Sequence, residues 1–157
     1  SRAHYRLTAG IINRKKARDL INSLKKELIP TSIVDRSFCK FENNSFFMRL
    51  NDGTDGSINF TDKRGTKNML ILFEAFFGYW KEFGKVSDGW IIVKMTKNEI
   101  RKRLTEKGRK EVSDSWIKDT ISNIRNFKIK DSKLIGSIFF DYYDRKANAY
   151  PFRIKRV

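Results

Sequence analysis

The feature that most constrains this chain is a broad apolar stripe over residues 67–83. Large apolar side chains recur there at intervals of three and four residues, which is the period of one face of an α-helix. The stripe consists of Met69, Leu70, Leu72, Phe73, Phe76, Phe77, Trp80 and Phe83. Gly84 follows, at a position where helices commonly end. A stripe this wide must be removed from water, so the sequence predicts a buried helix around which the other elements pack.

The charge of the chain restricts the partners it can have. The 157 residues include 34 Lys and Arg against 18 Asp and Glu, so the formal net charge is +16. Such a surplus repels itself, and it is usually offset by a polyanion whose phosphates release condensed counterions on binding. Nucleic acid is the first expectation. There are two alternatives. The partner is an anionic membrane surface, or the protein is basic without having a polyanion partner.

Composition excludes several other classes. Aromatic residues make up 13% of the chain, which is typical of a folded protein and not of a disordered one. No apolar run approaches the roughly 18 residues that span a membrane. His4 is the only histidine, and Cys39 lies in a strand pattern, so neither a histidine-based metal cluster nor a catalytic triad is expected. One cysteine forms no internal disulfide, which favours a reducing, intracellular location in the cytoplasm or nucleoid.

Two kinds of element are predicted before the central helix. Residues 9–29 have the apolar spacing of an amphipathic helix with a basic opposite face, and Pro30 ends the run. Residues 31–60 are short aromatic runs separated by turn residues, the pattern of a small antiparallel sheet. We therefore predict a basic amphipathic helix in residues 1–30 and a domain over 31–157.

After the central helix, a strand and a second helix are predicted. Val86–Gly89 is typical of a turn, and Trp90–Met95 has the composition of a strand. Thr96 and Glu99 have the spacing of a capping box, in which each side chain pairs with the backbone at the start of a helix. The helix that they open extends to about Leu104.

A third helix is predicted over about 114–127, with Ser113 or Asp114 as its cap. Its apolar back consists of Ile117, Thr120, Ile121 and Ile124. Its polar front consists of Ser115, Lys118, Ser122, Arg125 and Asn126. Residues 134–143 and 149–156 then alternate as two strands of a hairpin with a positively charged tip.

This order of elements is that of a winged helix-turn-helix domain. The predicted fold is therefore α+β: the N-terminal amphipathic helix, a small antiparallel sheet over 31–60, a helical core over 67–127 and a wing hairpin over 133–157. Such a domain places its third helix in the major groove of DNA.

Residues 117–126 read IKDTISNIRN, and this segment resembles the recognition helix of the OmpR-type winged-helix effector domains, whose pattern is roughly V-D-x-x-I-S-x-L-R. Ile58–Thr61 resembles the segment that precedes the long helix of that family, and Tyr150–Ile154 matches its returning wing strand. The resemblance covers about residues 37–156, although the paired glycines before the wing tyrosine are absent. It implies a domain that binds double-stranded DNA in transcription regulation. Plasmid-type replication initiators have similar winged helices, which leaves replication initiation open.

The polar front of the third helix is expected to meet base edges. Of its residues, Arg125 can pair with guanine and Asn126 with adenine, in a groove about 12 Å wide. Arg145 and Lys146 at the hairpin tip are expected to reach phosphates or the adjacent minor groove. Further contacts to the DNA backbone are expected from Lys102, Arg103, Lys107, Arg109 and Lys110.

Two other classes of function stay open. Asp144 and Lys146, with Asp131 and Asp141 nearby, suit a Mg²⁺-dependent nuclease, in which carboxylates hold the metal and a Lys lies near the attacking water. The simpler interpretation of these residues is a solvated hairpin tip. The other alternative is a winged helix that docks on RNA or protein through the sheet aromatics or the basic helix 9–29. For DNA binding we predict no cofactor, no metal and no catalytic residue; a homodimer and a separate regulatory domain both stay open.

Overall fold

Residues 34–60, 66–127, 134 and 136–156 are described by the computed structural model of the chain. Apart from Val34, they belong to one unit, Asp35–Val157. Several features that the sequence singles out lie outside the described residues: His4, the predicted helix 9–29, Thr61 and Asp131.

A three-stranded antiparallel sheet comes first, in the order β1-β2-β3. Its strands are Cys39–Glu42 (β1), Ser45–Arg49 (β2) and Asp55–Asn59 (β3). Asn43 and Asn44 join β1 to β2 with φ angles of 50° and 64°. Consecutive left-handed residues give the tight hairpin turn whose twist matches that of the strands. The predicted small sheet is confirmed, with β1 beginning at Cys39.

Helix α1, Thr66–Phe83, provides the centre of the core, as predicted. Leu72, Phe73 and Phe76 are fully buried within it. The indole Nε1 of Trp80 donates a hydrogen bond of 2.8 Å to the carbonyl oxygen of Ile91, so the buried polar atom is satisfied. The prediction that Phe83 belongs to the core is wrong. It is 51% exposed because it ends the helix, where its ring packs on that of Tyr79 at 4.7 Å.

A second antiparallel sheet has the order β4-β5-β6. Its strands are Lys85–Ser87 (β4), Trp90–Thr96 (β5) and Ala149–Lys155 (β6). Asp88 and Gly89 form the turn between β4 and β5, both with positive φ. The predicted strand at 90–95 is confirmed, and the predicted turn at 86–89 is shorter because its first two residues belong to β4. β5 pairs with β6 from Trp90↔Lys155 to Thr96↔Ala149, which connects residues that are far apart in the sequence.

Helix α2, Lys97–Glu106, begins and ends with local signals. The hydroxyl oxygen of Thr96 accepts a hydrogen bond from the Glu99 N–H at 3.2 Å, so the cap at Thr96 is confirmed. The second half of the predicted capping box differs, because the Glu99 carboxylate accepts from the Thr96 hydroxyl, at 3.2 Å, instead of from the Thr96 backbone N–H. At the other end, Gly108 has a φ of 86°, and the Arg109 N–H donates to the Leu104 carbonyl at 2.9 Å. This is a Schellman motif, which satisfies the last carbonyls of the helix and turns the chain.

Helix α3, Asp114–Asn126, has nearly the predicted bounds. Ser113 is the cap, and its hydroxyl oxygen accepts a hydrogen bond from the Trp116 N–H at 3.1 Å. The predicted apolar back is buried, and α3 packs on α1 through it. Because that side is buried, the polar front of the helix faces away from the core.

The predicted first strand of the wing, 134–143, is wrong. Residues Gly136–Ile138 form a short 3₁₀ turn, and an isolated bridge pairs Phe140 with Phe152 of β6. Phe139 and Phe140 are each only 1% exposed. The 3₁₀ turn and the single bridge leave no continuous ladder to β6, so this arm of the predicted hairpin is irregular. The second arm is β6, and backbone hydrogen bonds between Asp144 and Ala149 close the turn that precedes it.

The fold class is therefore α+β, as predicted, with helices packed beside two small antiparallel sheets. Within the described ranges, no helix is both long enough and apolar enough to cross a membrane. The sheets and α1 hold α3 and the turn at 144–149 on one part of the surface, where the candidate site lies.

Candidate nucleic-acid interface

A cleft of about 830 Å³ lies beside the exposed face of α3; we call it the α3 cleft. One wall is the helix itself, with Lys118, Ile121, Ser122, Arg125 and Asn126. The other wall is the segment that leads into β6, with Ser137, Asp141, Tyr142, Tyr143, Arg145 and Tyr150. Lys97, the first residue of α2, completes the lining. The fold thus brings together five of the residues that the sequence predicts to contact DNA, four of them from one helix.

Gly136 explains why the second wall can lie so close to α3. A Cβ atom on this residue would be 1.6 Å from the carbonyl oxygen of Ile124. The backbone N–H of Gly136 also donates a hydrogen bond of 3.4 Å to the carbonyl oxygen of Phe127, just beyond the helix. Only glycine permits this approach, so one residue type fixes the position of the 136–148 segment against the end of α3.

The cleft is strongly positive. Its lining contains four cationic side chains, those of Lys97, Lys118, Arg125 and Arg145, and one carboxylate, that of Asp141. Asp141 lies 3.7 Å from the guanidinium of Arg153, so its charge is partly offset outside the cleft. Lys118 and Arg145 are exposed and form no ion pair within the described part of the chain. A surface of this kind attracts phosphates.

Three tyrosines line the same cleft, and sequence reasoning did not single them out. The guanidinium of Arg125 lies 4.2 Å from the ring centre of Tyr142. The rings of Tyr143 and Tyr150 lie 4.7 Å apart, and the ammonium of Lys97 lies 5.4 Å from the ring centre of Tyr143. Burial raises the pKa of Tyr150 above its ordinary value, so its phenol stays neutral. The signal in the sequence is the pair Tyr142-Tyr143 beside the charged tip, but only the fold places it opposite α3.

The turn at 144–149 is anchored to the second sheet. The carboxylate of Asp144 lies 2.7 Å from the Lys94 ammonium, and it accepts a hydrogen bond of 3.1 Å from the Ala147 N–H. The hydrogen bond from Lys94, followed by that from Ala147, holds the pKa of Asp144 below its ordinary value. Arg145 and Lys146 therefore lie exposed at the tip of a turn that is fixed on one side.

The remaining predicted contact residues lie outside the cleft. Lys102 and Lys110 are exposed, and Ser115 is exposed on the first turn of α3. Arg103 donates a hydrogen bond of 2.8 Å to Glu82 and lies 4.9 Å from the ring centre of Tyr79, so it connects α2 to α1. Two others have similar intramolecular partners: Lys107 lies 3.8 Å from Glu74, and Arg109 lies 4.8 Å from the ring centre of Trp116.

Two of the carboxylates considered for a metal site, Asp141 and Asp144, lie close to cationic side chains. Asp144 pairs with Lys94 rather than with Lys146, and Asp141 lies near Arg153. In the part of the chain that the structure describes, no group of three or more His, Cys, Asp and Glu side chains is placed to hold a metal ion. Cys39 is buried, as its strand pattern predicts.

Comparison with known proteins adds no relative. The chain matches no protein-family model, no curated protein and no solved structure. Its function is therefore inferred from the charge, exposure and geometry of the α3 cleft and its surroundings.

Proposed function

We propose that this chain binds double-stranded DNA in a sequence-specific manner through a winged-helix domain, in transcription regulation or replication initiation. The order of elements supports the fold: α1, β5, α2, α3 and then β6, which pairs with β5. In this interpretation α2 and α3 are the helix-turn-helix, and the turn at 144–149 is the tip of a wing with one irregular arm.

The exposed face of α3 supports its role as the helix that reads bases. Lys118, Ser122 and Asn126 are exposed there. A helix fits into the major groove, where Asn can pair with adenine, and we assign Lys118 to a flanking phosphate. Arg125 is half-buried and stacked on Tyr142, yet stacking occupies only the flat face of a guanidinium. Its in-plane N–H groups stay available for the two acceptors of a guanine.

The single observation that carries the proposal is that the positively charged side chains and the polar face of α3 lie on the same surface. Four cations line one cleft against one carboxylate, and one wall of the cleft is the polar face of α3. Arg145 and Lys146 extend this positive surface to the exposed tip, where they are free to contact phosphates. Arg103, which bridges α2 and α1, is assigned a structural role instead.

The test is selection of binding sites from a random pool of duplex DNA, followed by binding of Arg125→Ala to the selected site. We expect a loss of about 1–3 kcal/mol on that site and a relaxed preference at one base position, because a bidentate base contact disappears. Lys85→Ala is the matched control, since it removes one exposed cation from β4, outside the cleft. An equal loss of affinity on every sequence would contradict base reading by Arg125.

A further inference from the structure

Tyr142 is the most exposed of the three tyrosines that line the α3 cleft. It is 75% exposed, although the Arg125 guanidinium covers one of its faces at 4.2 Å. The opposite face of the ring must therefore be open. The other two tyrosines of the cleft differ, because Tyr143 and Tyr150 pack on each other and the Tyr143 hydroxyl donates to the side chain of Asn148.

A free aromatic face in a cationic cleft favours a ligand that has both a phosphate and a flat ring. The bases of an intact duplex are covered by their neighbours above and below, so they offer no face to a protein side chain. An unpaired base does offer one, and stacking on an aromatic residue is the common way in which proteins hold it. At about 830 Å³ the cleft has the size of a small-molecule site, so it has room for a nucleotide beside the sugar-phosphate chain.

From this arrangement we infer that the α3 cleft takes one unpaired nucleotide of a DNA that is otherwise duplex, with the base stacked on the open face of Tyr142. Arg125 supports the ring from behind, and its positive charge strengthens the stack. Lys118 and Arg145 lie on the two walls and are placed for the flanking phosphates. This inference rests on the proposed function and narrows its substrate to duplex DNA with a bulge, a flipped base or a junction.

The experiment compares two DNAs that differ only in pairing. Both are duplexes that contain 2-aminopurine at the same position, paired in one and bulged in the other. Affinity is measured by fluorescence anisotropy of a terminal dye, and stacking is measured by quenching of the 2-aminopurine. We expect the full chain to bind the bulged DNA between about fivefold and about 150-fold more tightly, the range typical of base stacking on an aromatic side chain.

Three variants test whether the preference for bulged DNA and the quenching of 2-aminopurine depend on the ring of Tyr142. Tyr142→Ala is expected to abolish both the preference and the quenching, because no flat face remains. Tyr142→Phe is expected to keep both, because it keeps the ring. Phe83→Ala removes the other large exposed aromatic side chain of the described residues, at the end of α1, and is expected to change neither. The ratio of the two affinities is taken within each variant, so a general effect on binding or folding cancels.

Equal binding of the paired and bulged duplexes, with steep salt dependence, would overturn this inference and leave duplex binding standing. A preference that survives in Tyr142→Ala would also overturn it. Absence of binding to either DNA would reject the proposed function together with this inference.

Discussion

Replacing Gly136 with alanine tests how the α3 cleft is built. The added Cβ would lie 1.6 Å from the carbonyl oxygen of Ile124, and also close to that residue's carbonyl carbon, at 2.5 Å. Neither atom can rotate away, because both belong to the backbone of α3. Overpacking in a protein interior costs about 1–3 kcal/mol where side chains can adjust, and occasionally more. With a backbone in the way, we expect at least about 3 kcal/mol, which lowers Tm by about 10 °C in a domain of this size.

The same substitution at Gly78 is the matched control. Gly78 lies inside α1, and the nearest atom to an added Cβ is the Arg103 Nη1 at 3.4 Å, the end of a long side chain. Alanine favours a helix interior over glycine by up to about 1 kcal/mol, so Gly78→Ala should raise Tm by a few degrees. Thermal unfolding followed by circular dichroism measures both variants. A Gly136→Ala protein as stable as the original chain would refute the position assigned to the 136–148 segment.

Three further predictions concern charge and burial. Lys118→Ala should make the slope of log K on log salt less steep by about 0.9, whereas Lys85→Ala should leave it unchanged, and anisotropy titrations measure both. Because the pKa of Asp144 is lowered, its ion pair stabilises the fold above the ordinary pKa and is lost as the pH falls through the lowered value. Tm should therefore fall less on acidification in Asp144→Asn than in the original chain, and equal falls would contradict the anchor. Burial raises the pKa of the Cys39 thiol to about 12, so a thiol reagent at neutral pH should react only after unfolding in urea.

Local signals account for most of what the sequence predicted correctly. The stripe of α1, the cap at Thr96 and the cap at Ser113 depend on residues within a few positions of one another. Such interactions form largely independently of the rest of the chain, so pattern and propensity are sufficient to find them. The polar front of α3 followed from the same periodicity.

Long-range contacts account for what was missed. The burial of both Phe139 and Phe140, in a segment where a wing strand was predicted, depends on packing against α1 and β6. The hydrogen bond between Arg103 and Glu82, 21 residues apart, was likewise not predicted from the sequence. Tyr142 gained its position opposite Arg125 only through the approach of Gly136 to α3. The spacing of residues in the sequence does not predict these contacts, because they form only when separate helices and strands pack together.

The assembly of the cleft also explains why charge alone was a weak guide to the site. Basic residues are spread over the whole chain, and several of them have intramolecular partners, such as Lys107 with Glu74 and Lys94 with Asp144. Of the cations that line the α3 cleft, Lys118 and Arg145 are exposed, whereas Lys97 lies 3.5 Å from Asp114 and Arg125 stacks on Tyr142. Exposure and geometry thus identify the cations that are available to a polyanion.

The measurement that tests the central proposal most directly is anisotropy binding of the full chain to duplex DNA, single-stranded DNA and duplex RNA across a salt series. We expect the tightest binding to the DNA duplex, because the major groove of duplex RNA is too narrow for a helix. If the three exposed cations of the cleft and the neighbouring tip, Lys118, Arg145 and Lys146, each contact a phosphate, they contribute a slope of about −2.7 to log K against log salt. Binding that does not depend on salt, or that is as tight to duplex RNA as to duplex DNA, would contradict a DNA-binding role for α3.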